Sequence, residues 1–258
     1  MKDATFAEIP YKVASLTKGS SPIGSQFDNI PVYALLRDSN LLTLNSRPIP
    51  PDNFATIDIG GKLAFVVDNI ITREEADSLA EFSKLLGFRE EAPDIQTPPG
   101  MRMNTTVHWL ATDSMMNAIC SNIMPFIPPV LDGRTFAGRL SHRINFYRYF
   151  GDNQKFTPHI DGDWPGYYYD DATGQMKTWD NMFSMISMLL YLTDNQGEAS
   201  QGVTRLYGDS NVVEVSPKKG SALFFRHGLG PASVLHSGEP PGPSEEKIVA
   251  RINVMYMT

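Results

Sequence analysis

The sequence lacks the features of a disulfide-stabilised or secreted protein. Its 258 residues include one cysteine, Cys120, so no internal disulfide can form and the fold does not depend on an oxidising compartment. The first twenty residues lack the apolar core of a signal peptide, and no apolar run approaches the length that spans a bilayer. We therefore expect a cytoplasmic protein. We also expect Cys120, within the apolar-periodic stretch NAICSNIMPFI, to be a buried structural thiol.

Positive charge is also scarce. The formal net charge is −7, with 22 Lys and Arg against 29 Asp and Glu. Nucleic acids and anionic membranes bind through basic surfaces, so neither is expected as a partner. A local basic pocket for an anionic small molecule remains compatible with this balance. The composition does not indicate the oligomeric state.

The length suits one large β domain or two small domains, with ample material for a buried core. Residues 1–55 hold scattered Ser, Asn and Pro and include the extended run RPIPP at 47–51. We interpret this part as an irregular N-terminal arm that packs on the main domain. Residues 56–258 are then the main domain, and its β-rich core covers about residues 136–258.

Two helices are predicted in the first half of the main domain. A short β-prone run at 63–67 precedes Thr72 and Glu75, which fit a capping box, and an apolar stripe then predicts a helix over 74–86 that ends at Gly87. A second helix is predicted over 114–126, before two prolines. After residue 136 short apolar or alternating runs are separated by Gly, Pro and Asn, which is typical of a sandwich or jelly roll with helices on one face. The predicted strands cover 143–149, 183–192, 203–207, 211–215, 221–225 and 247–256.

One constellation suggests metal chemistry. His159 and Asp161 form an H-x-D triplet after a predicted strand, and residues i and i+2 of an extended chain point to the same side. His236 comes 75 positions after Asp161, where a jelly roll folds back on itself. Two histidines and one carboxylate leave open positions on an octahedral metal, as in non-haem Fe(II) oxygenases. The triplet alone is weak, because His159 could be a surface residue hydrogen-bonded to Asp161.

The surroundings of the triplet resemble a known family. The C-terminal half contains, in this order, the blocks FYRY (146–149), FTPHID (156–161), SMLLYLT (187–193), QGVTRL (201–206), PKKGSALFF (217–225), HSGEP (236–240) and KIVARINVMY (247–256). In their order and spacing, these blocks resemble the catalytic domain of prolyl 4-hydroxylase-like 2-oxoglutarate/Fe(II) dioxygenases. Thr193 and Gln201 depart from the family pattern, which usually has Asn and Gly there, and neither is a predicted ligand.

The resemblance implies a fold and a cosubstrate site. The fold would be α+β, mainly β: a double-stranded β-helix (jelly roll) with N-terminal helices packed on one face. His159, Asp161 and His236 would be the catalytic metal ligands for Fe(II). Lys247 stands where the family places the cation that pairs the distal carboxylate of 2-oxoglutarate, with Tyr191 sharing that contact and Tyr149 reaching the metal-bound end. Arg251 lies on the same strand, and the choice between Lys247 and Arg251 as main anchor stays open, as does a solvent-facing strand with both cations outward.

The implied reaction is hydroxylation of an unactivated C–H bond, with O₂ and 2-oxoglutarate consumed, succinate and CO₂ released, and ascorbate as a candidate reductant. The substrate would be a small molecule or a peptidyl residue, and residues 162–181 are predicted to form an aromatic loop or lid beside the site. His142 and His227 are interpreted as structural. Two alternatives remain: a non-catalytic cupin-like module and a zinc hydrolase with the same ligands. The candidate substrate contacts are Arg102, Asn104, Trp109, Trp164 and Trp179, with His108 beside them.

Overall fold

The computed structural model describes residues 5–195 and 200–258. Within these ranges the chain is mainly β, with two α-helices and three short 3₁₀ turns. The helices are α1 (Arg73–Leu86) and α2 (Asp113–Ile123), and the 3₁₀ turns are Phe6–Glu8, Pro51–Asn53 and Met124–Phe126. The strands are β1 (Tyr11–Ser20), β2 (Gln26–Leu35), β3 (Phe54–Thr56), β4 (Ala64–Val67), β5 (Ala92–Pro93), β6 (Thr105–Leu110), β7 (Val130–Leu131), β8 (Arg134–Leu140), β9 (Arg143–Phe150), β10 (Phe156–His159), β11 (Pro165–Asp170), β12 (Gln175–Tyr191), β13 (Thr204–Tyr207), β14 (Val212–Val215), β15 (Ala222–Arg226), β16 (Leu235–Gly238) and β17 (Glu246–Met257).

The strands form a large and a small sheet. The large sheet has the order β3-β4-β15-β12-β17-β9-β6-β2-β1-β5, with β11 paired to β12 and β8 to β17. The small sheet has the order β10-β16-β13-β14. A cavity is lined by residues of both sheets, including His159 and His236 of the small sheet and Tyr149 and Lys247 of the large sheet. This is the predicted double-stranded β-helix, and its two sheets bring the candidate site residues together.

The two helices lie on the opposite face of the large sheet, as predicted. Thr72 caps α1 in a complete capping box with Glu75, and the helix ends at Gly87, whose φ of 89° favours glycine. α2 ends earlier than predicted and continues as a 3₁₀ turn over Met124–Phe126. Pro125 has no amide hydrogen to continue the α-helical ladder, which explains the change. The apolar faces of both helices pack into one core with the large sheet.

The N-terminal segment is more regular than predicted. The expectation of an irregular arm over 1–55 is wrong for β1 and β2, which form a hairpin that joins the large sheet by a parallel pairing of β2 with β6. Three apolar residues of β1, Tyr11, Val13 and Leu16, lie on exposed positions, and two register shifts interrupt the alternation of the strand. A strand of this kind has a weak pattern in sequence. A domain boundary at residue 55 stays a prediction.

The predicted aromatic loop over 162–181 is a hairpin for most of its length, although its first residues do lie beside the candidate site, as predicted. β11 and the first half of β12 form an antiparallel hairpin, and β12 begins at Gln175, well before the predicted 183. Asp170 organises the turn, since its side chain accepts hydrogen bonds from the Ala172 amide and the Thr173 hydroxyl. Gly174 closes it with a φ of 68°. The remaining strand predictions are confirmed to within a few residues.

Two further expectations concern Cys120 and membranes. Cys120 is buried, its thiol lies 3.4 Å from the Gly138 carbonyl oxygen, and burial raises the pKa of the thiol to about 11. A thiol with a raised pKa is inert as a nucleophile, so the structural interpretation is confirmed. No helix in the described part of the chain is long and apolar enough to cross a membrane.

Candidate active site

Three potential metal ligands converge at the end of the small sheet. The antiparallel pairing of β10 with β16 sets His159 directly opposite His236, and Asp161 follows two residues after His159. Nε2 of His159 lies 3.7 Å from Asp161 Oδ1, and Nε2 of His236 lies 3.8 Å from Asp161 Oδ2. All three donor atoms fall within 4.8 Å of one another. Such a set can hold one metal ion, and its composition suits Fe(II).

Both imidazoles are oriented by backbone carbonyls. Nδ1 of His159 donates to the Thr157 carbonyl oxygen at 2.7 Å, and Nδ1 of His236 donates to the Val234 carbonyl oxygen at 3.2 Å. A carbonyl only accepts, so each Nδ1 carries the hydrogen and each Nε2 presents its lone pair to the centre. Burial lowers the pKa of His159 to about 3 and lowers that of His236 as well. Both rings are therefore neutral, which is the form that binds a metal.

The Asp161 carboxylate is held ionised. Its Oδ2 accepts from Arg251 Nε at 2.9 Å and from the Ser187 hydroxyl at 2.6 Å. Burial alone would raise the pKa of Asp161, but the Arg251 guanidinium and then the two imidazoles outweigh it. The pKa consequently lies far below its usual range. Since Oδ2 already has two donors, Oδ1 is the freer oxygen for a metal.

Lys247 lines the cavity between the sheets, together with His159, Asp161 and His236. The side chain is buried, with Nζ 3.3 Å from the Val203 carbonyl oxygen and 4.8 Å from the centre of the Tyr149 ring. Burial lowers the pKa of Lys247 to about 7, against a weaker opposite effect of Glu239. Among the described residues no carboxylate forms an ion pair with it. A buried ammonium in this state favours an anionic ligand.

The structure separates the two cations that the sequence left as alternatives. Lys247 and Arg251 are 3% and 4% exposed, so a solvent-facing strand is wrong. Arg251 is engaged at the metal end, where its Nε donates to Asp161. Four residues of strand place the two backbone positions about 13 Å apart. Lys247 is the cation at the end of the cavity away from the triad's carboxylate.

The two predicted tyrosines differ in position. Tyr149 lines the cavity, and a Cβ at position 238 would lie 2.7 Å from its hydroxyl oxygen, so Gly238 makes room for it. Tyr191 is buried in a neighbouring apolar cluster, and its hydroxyl donates to Thr204 Oγ1 at 3.0 Å. Thr204 lines the cavity, so Tyr191 is linked to the cavity through Thr204.

A second, open cleft adjoins the triad. It has a volume of about 370 Å³ and shares His159, Asp161 and Arg251 with the inner cavity. Of the five predicted substrate contacts, Trp164 lines this cleft. Its other apolar lining residues are Ile95, Met101, Tyr147, Phe156 and Ile160.

Arg102 and Asn104 lie behind the inner cavity, where both are fully buried. The Arg102 guanidinium donates to the backbone carbonyls of Asn104, Ser20 and Glu90. The Asn104 side-chain oxygen accepts a further hydrogen bond from this guanidinium at 3.1 Å. Both residues therefore support the cavity wall and do not face the open cleft.

The structure does not bring Trp109 or Trp179 to the site, which corrects both predictions. Trp109 stacks on Phe146 at 5.1 Å between ring centres, and its indole donates to Ser83 of α1. It points to the helix side of β6 because successive strand residues alternate, whereas its neighbour His108 points to the inner side. Trp179 lies in the exposed part of the β11–β12 hairpin, stacked on Tyr168 at 5.5 Å.

Sequence reasoning missed several residues near Asp161. Ser187 contacts Asp161 directly, and His227, interpreted as structural, contacts Ser187. Tyr147 lines both the inner cavity and the open cleft. Ser187 and His227 are 40 positions apart and become neighbours only because β12 pairs with β15, so no spacing in sequence could have linked them.

Comparison with known proteins agrees with this site. Residues 144–255 match the family model described as the 2OG-Fe(II) oxygenase superfamily. Comparison with curated proteins gave no match. A viral collagen prolyl hydroxylase from Paramecium Bursaria Chlorella virus-1, solved as a 2OG complex, is similar with a TM-score of 0.51 and 20% identity, over 78% of this chain and 99% of that one. A Trichoplax adhaerens prolyl hydroxylase, solved with a hypoxia inducible factor peptide fragment, is similar with a TM-score of 0.53 and 14% identity, over 80% and 84%.

At these identities the solved structures establish the fold, and the family match covers the residues that carry the triad. Two histidines and one aspartate converge as such a family requires. Residues 144–255 therefore match the 2OG-Fe(II) oxygenase superfamily, and the chain shares the fold of the similar prolyl hydroxylases.

Proposed function

We propose that this oxygenase hydroxylates a small molecule or an amino-acid residue held in the open cleft, with Fe(II) bound by His159, Asp161 and His236 and 2-oxoglutarate anchored by Lys247. The observation that carries the proposal is the buried Lys247 ammonium, which lines the same cavity as the triad. A structural metal site would need no such cation beside it. A cosubstrate with a carboxylate at each end accounts for both features.

The residues present fit 2-oxoglutarate. One end of the molecule would reach the metal, and the far carboxylate would meet Lys247. Within the described part of the chain, the hydrogen bond of Lys247 Nζ is a long one, 3.3 Å, to the Val203 carbonyl oxygen. Arg251 is already engaged with Asp161, so Lys247 is the main anchor in this proposal. Tyr149 would flank the bound molecule, and Thr204, supported by Tyr191, would complete the polar end of the cavity.

The protein's own part is to orient ligands, hold charge and exclude water. The two carbonyl-oriented imidazoles stay neutral, and the Arg251 guanidinium keeps Asp161 ionised. Leu189, Val249 and Phe156 give the cavity dry walls. When bound, Fe(II) supplies the activation of O₂ that couples oxidation of 2-oxoglutarate, to succinate and CO₂, with hydroxylation of a C–H bond.

The substrate would enter through the open cleft beside His159 and Asp161. Its volume of about 370 Å³ is within the range of small-molecule sites, and it also admits one residue of a peptide. The two similar solved proteins are a collagen prolyl hydroxylase and one bound to a peptide fragment. Peptidyl prolines therefore come first among the substrates to test, followed by free amino acids.

The test is a substrate screen coupled to succinate release, with the intact protein, Fe(II), 2-oxoglutarate, O₂ and ascorbate as reductant. Substrate-dependent succinate in stoichiometric amount with hydroxylated product is the expected result. The Asp161→Ala variant should form none, while the surface variant Asp209→Ala should match the unmodified protein. Hydrolysis of a substrate without O₂ consumption would favour the zinc hydrolase. Binding of both Fe(II) and ligand without turnover would favour the cupin-like module.

A further inference from the structure

A row of buried polar side chains runs from the Asp161 carboxylate to the wall of the open cleft. Ser187 Oγ lies 2.6 Å from Asp161 Oδ2 and 2.8 Å from His227 Nδ1. On the other side of the ring, His227 Nε2 lies 2.8 Å from Ser184 Oγ, which in turn lies 2.9 Å from the Trp164 backbone nitrogen. Ser184, Ser187 and His227 are fully buried, so water does not compete for these contacts.

The donor in each contact follows from the two ends of the row. An ionised carboxylate only accepts, so the single Ser187 hydroxyl hydrogen points to Asp161. His227 Nδ1 must then carry a hydrogen and donate to Ser187. At the other end the Trp164 amide can only donate, which leaves the Ser184 hydroxyl free to donate to His227 Nε2. All hydrogen positions agree when His227 is neutral with its proton on Nδ1.

The surroundings support this single arrangement. Burial lowers the pKa of His227 to about 3, so the ring carries one hydrogen at neutral pH. Arg251 Nε donates to Ser187 Oγ at 3.3 Å as well as to Asp161. The Ser187 hydroxyl thus has one acceptor and two donors around it, which is its full complement. A row with every member satisfied is rigid and expensive to break.

We propose that His227 is a positioning residue that holds the Ser187 hydroxyl on Asp161 and so fixes the orientation of the carboxylate that binds Fe(II). The proposal rests on the proposed role of Asp161 as a metal ligand. Through Ser184 the same ring is tied to the backbone of Trp164, which lines the open cleft. The metal ligand and one wall of the cleft are therefore held by one imidazole.

Two substitutions of His227 separate its two nitrogens. In His227→Asn the amide nitrogen can take the place of Nδ1 and still donate to Ser187. In His227→Gln the amide reaches the Nε2 position, so the contact with Ser184 survives and the donor to Ser187 is lost. Loss of an outer hydrogen bond to a metal ligand costs about 10- to 100-fold in metal affinity. We expect such a loss for Gln and an affinity close to the unmodified protein for Asn.

The measurement is Mn(II) affinity of the intact protein by electron paramagnetic resonance, with thermal melting by circular dichroism beside it. His142→Gln is the matched control, since His142 is another buried histidine outside this row. Ser187→Ala should lose the same affinity as His227→Gln, and combining the two should add little, as for residues that act through one contact. If the Gln variant does not fold, Ser187→Ala carries the test.

Equal loss in the Asn and Gln variants would overturn the proposal, as would unchanged Mn(II) affinity in folded His227→Gln or Ser187→Ala. The Asp161→Ala variant distinguishes a failure of the positioning role from a failure of the proposed metal site. If that variant loses Mn(II) and His227→Gln retains it, only the positioning role fails. If Asp161→Ala itself retains Mn(II), the proposed metal site fails.

Discussion

Replacement of Lys247 by Met is the most informative perturbation of the cosubstrate site, because it removes the charge and keeps most of the side-chain length. Burial lowers the pKa of Lys247 to about 7 from 10.5, and at 1.36 kcal/mol per unit this is a penalty on the order of 5 kcal/mol. A bound carboxylate would offset much of it. Truncating one partner of a buried, hydrogen-bonded charge pair costs roughly 2–5 kcal/mol, or about 30-fold to a few thousand-fold in affinity.

The assay is anaerobic titration of the Fe(II)-loaded protein with 2-oxoglutarate, followed by the visible charge-transfer band. Lys247→Met should raise the dissociation constant for 2-oxoglutarate by about 30-fold to a few thousand-fold, and Lys247→Arg should raise it much less. Lys218→Met is the control, because Lys218 pairs with Asp68 at the surface. A Lys247→Met variant that binds 2-oxoglutarate as tightly as the unmodified protein would refute the anchor assignment.

The remaining predictions concern pH, packing and the cleft. Because the free Lys247 ammonium deprotonates near pH 7 and the bound form is protonated, the dissociation constant for 2-oxoglutarate should rise about tenfold per pH unit above 7, and this rise should vanish in Lys247→Arg. Gly238→Ala should displace the Tyr149 hydroxyl and raise the KM for 2-oxoglutarate while the melting temperature changes little; an unchanged KM would contradict the close approach. Trp109→Ala should destabilise the fold by about 3–5 kcal/mol in chemical denaturation, since it empties a core position. Trp164→Ala should raise the KM for the substrate and Trp179→Ala should not, and the reverse order would show that the cleft is misplaced.

The sequence predicted the parts of the fold that have strong local patterns. The capping box at Thr72 and Glu75 marked α1 to within one residue, and the apolar runs after residue 136 marked most strands. The convergence of His159 and His236 followed from their placement on what are paired strands. The helix and the strands follow from the spacing of capping and apolar residues over a few positions. The convergence of the two histidines follows from the order of sequence motifs that the chain shares with the family.

The parts that failed depend on tertiary contacts. β1 and β2 are interrupted by register shifts, and apolar residues such as Val13, Leu16 and Phe27 lie on exposed positions, so the alternation of polar and apolar residues is weak. Trp109 was assigned to the site because it stands beside His108, but neighbours on a strand point to opposite faces. Lys247 and Arg251 could not be ranked from sequence, since both face inward and only the position of Asp161 separates them.

The most direct test of the whole account is a crystal grown without O₂ in the presence of Fe(II) and 2-oxoglutarate, with diffraction recorded on both sides of the iron absorption edge. We expect one strong anomalous peak within coordination distance of His159 Nε2, His236 Nε2 and an Asp161 oxygen. The far carboxylate of 2-oxoglutarate should form an ion pair with Lys247 Nζ. Iron bound elsewhere, or a 2-oxoglutarate molecule that leaves Lys247 without a partner, would contradict it.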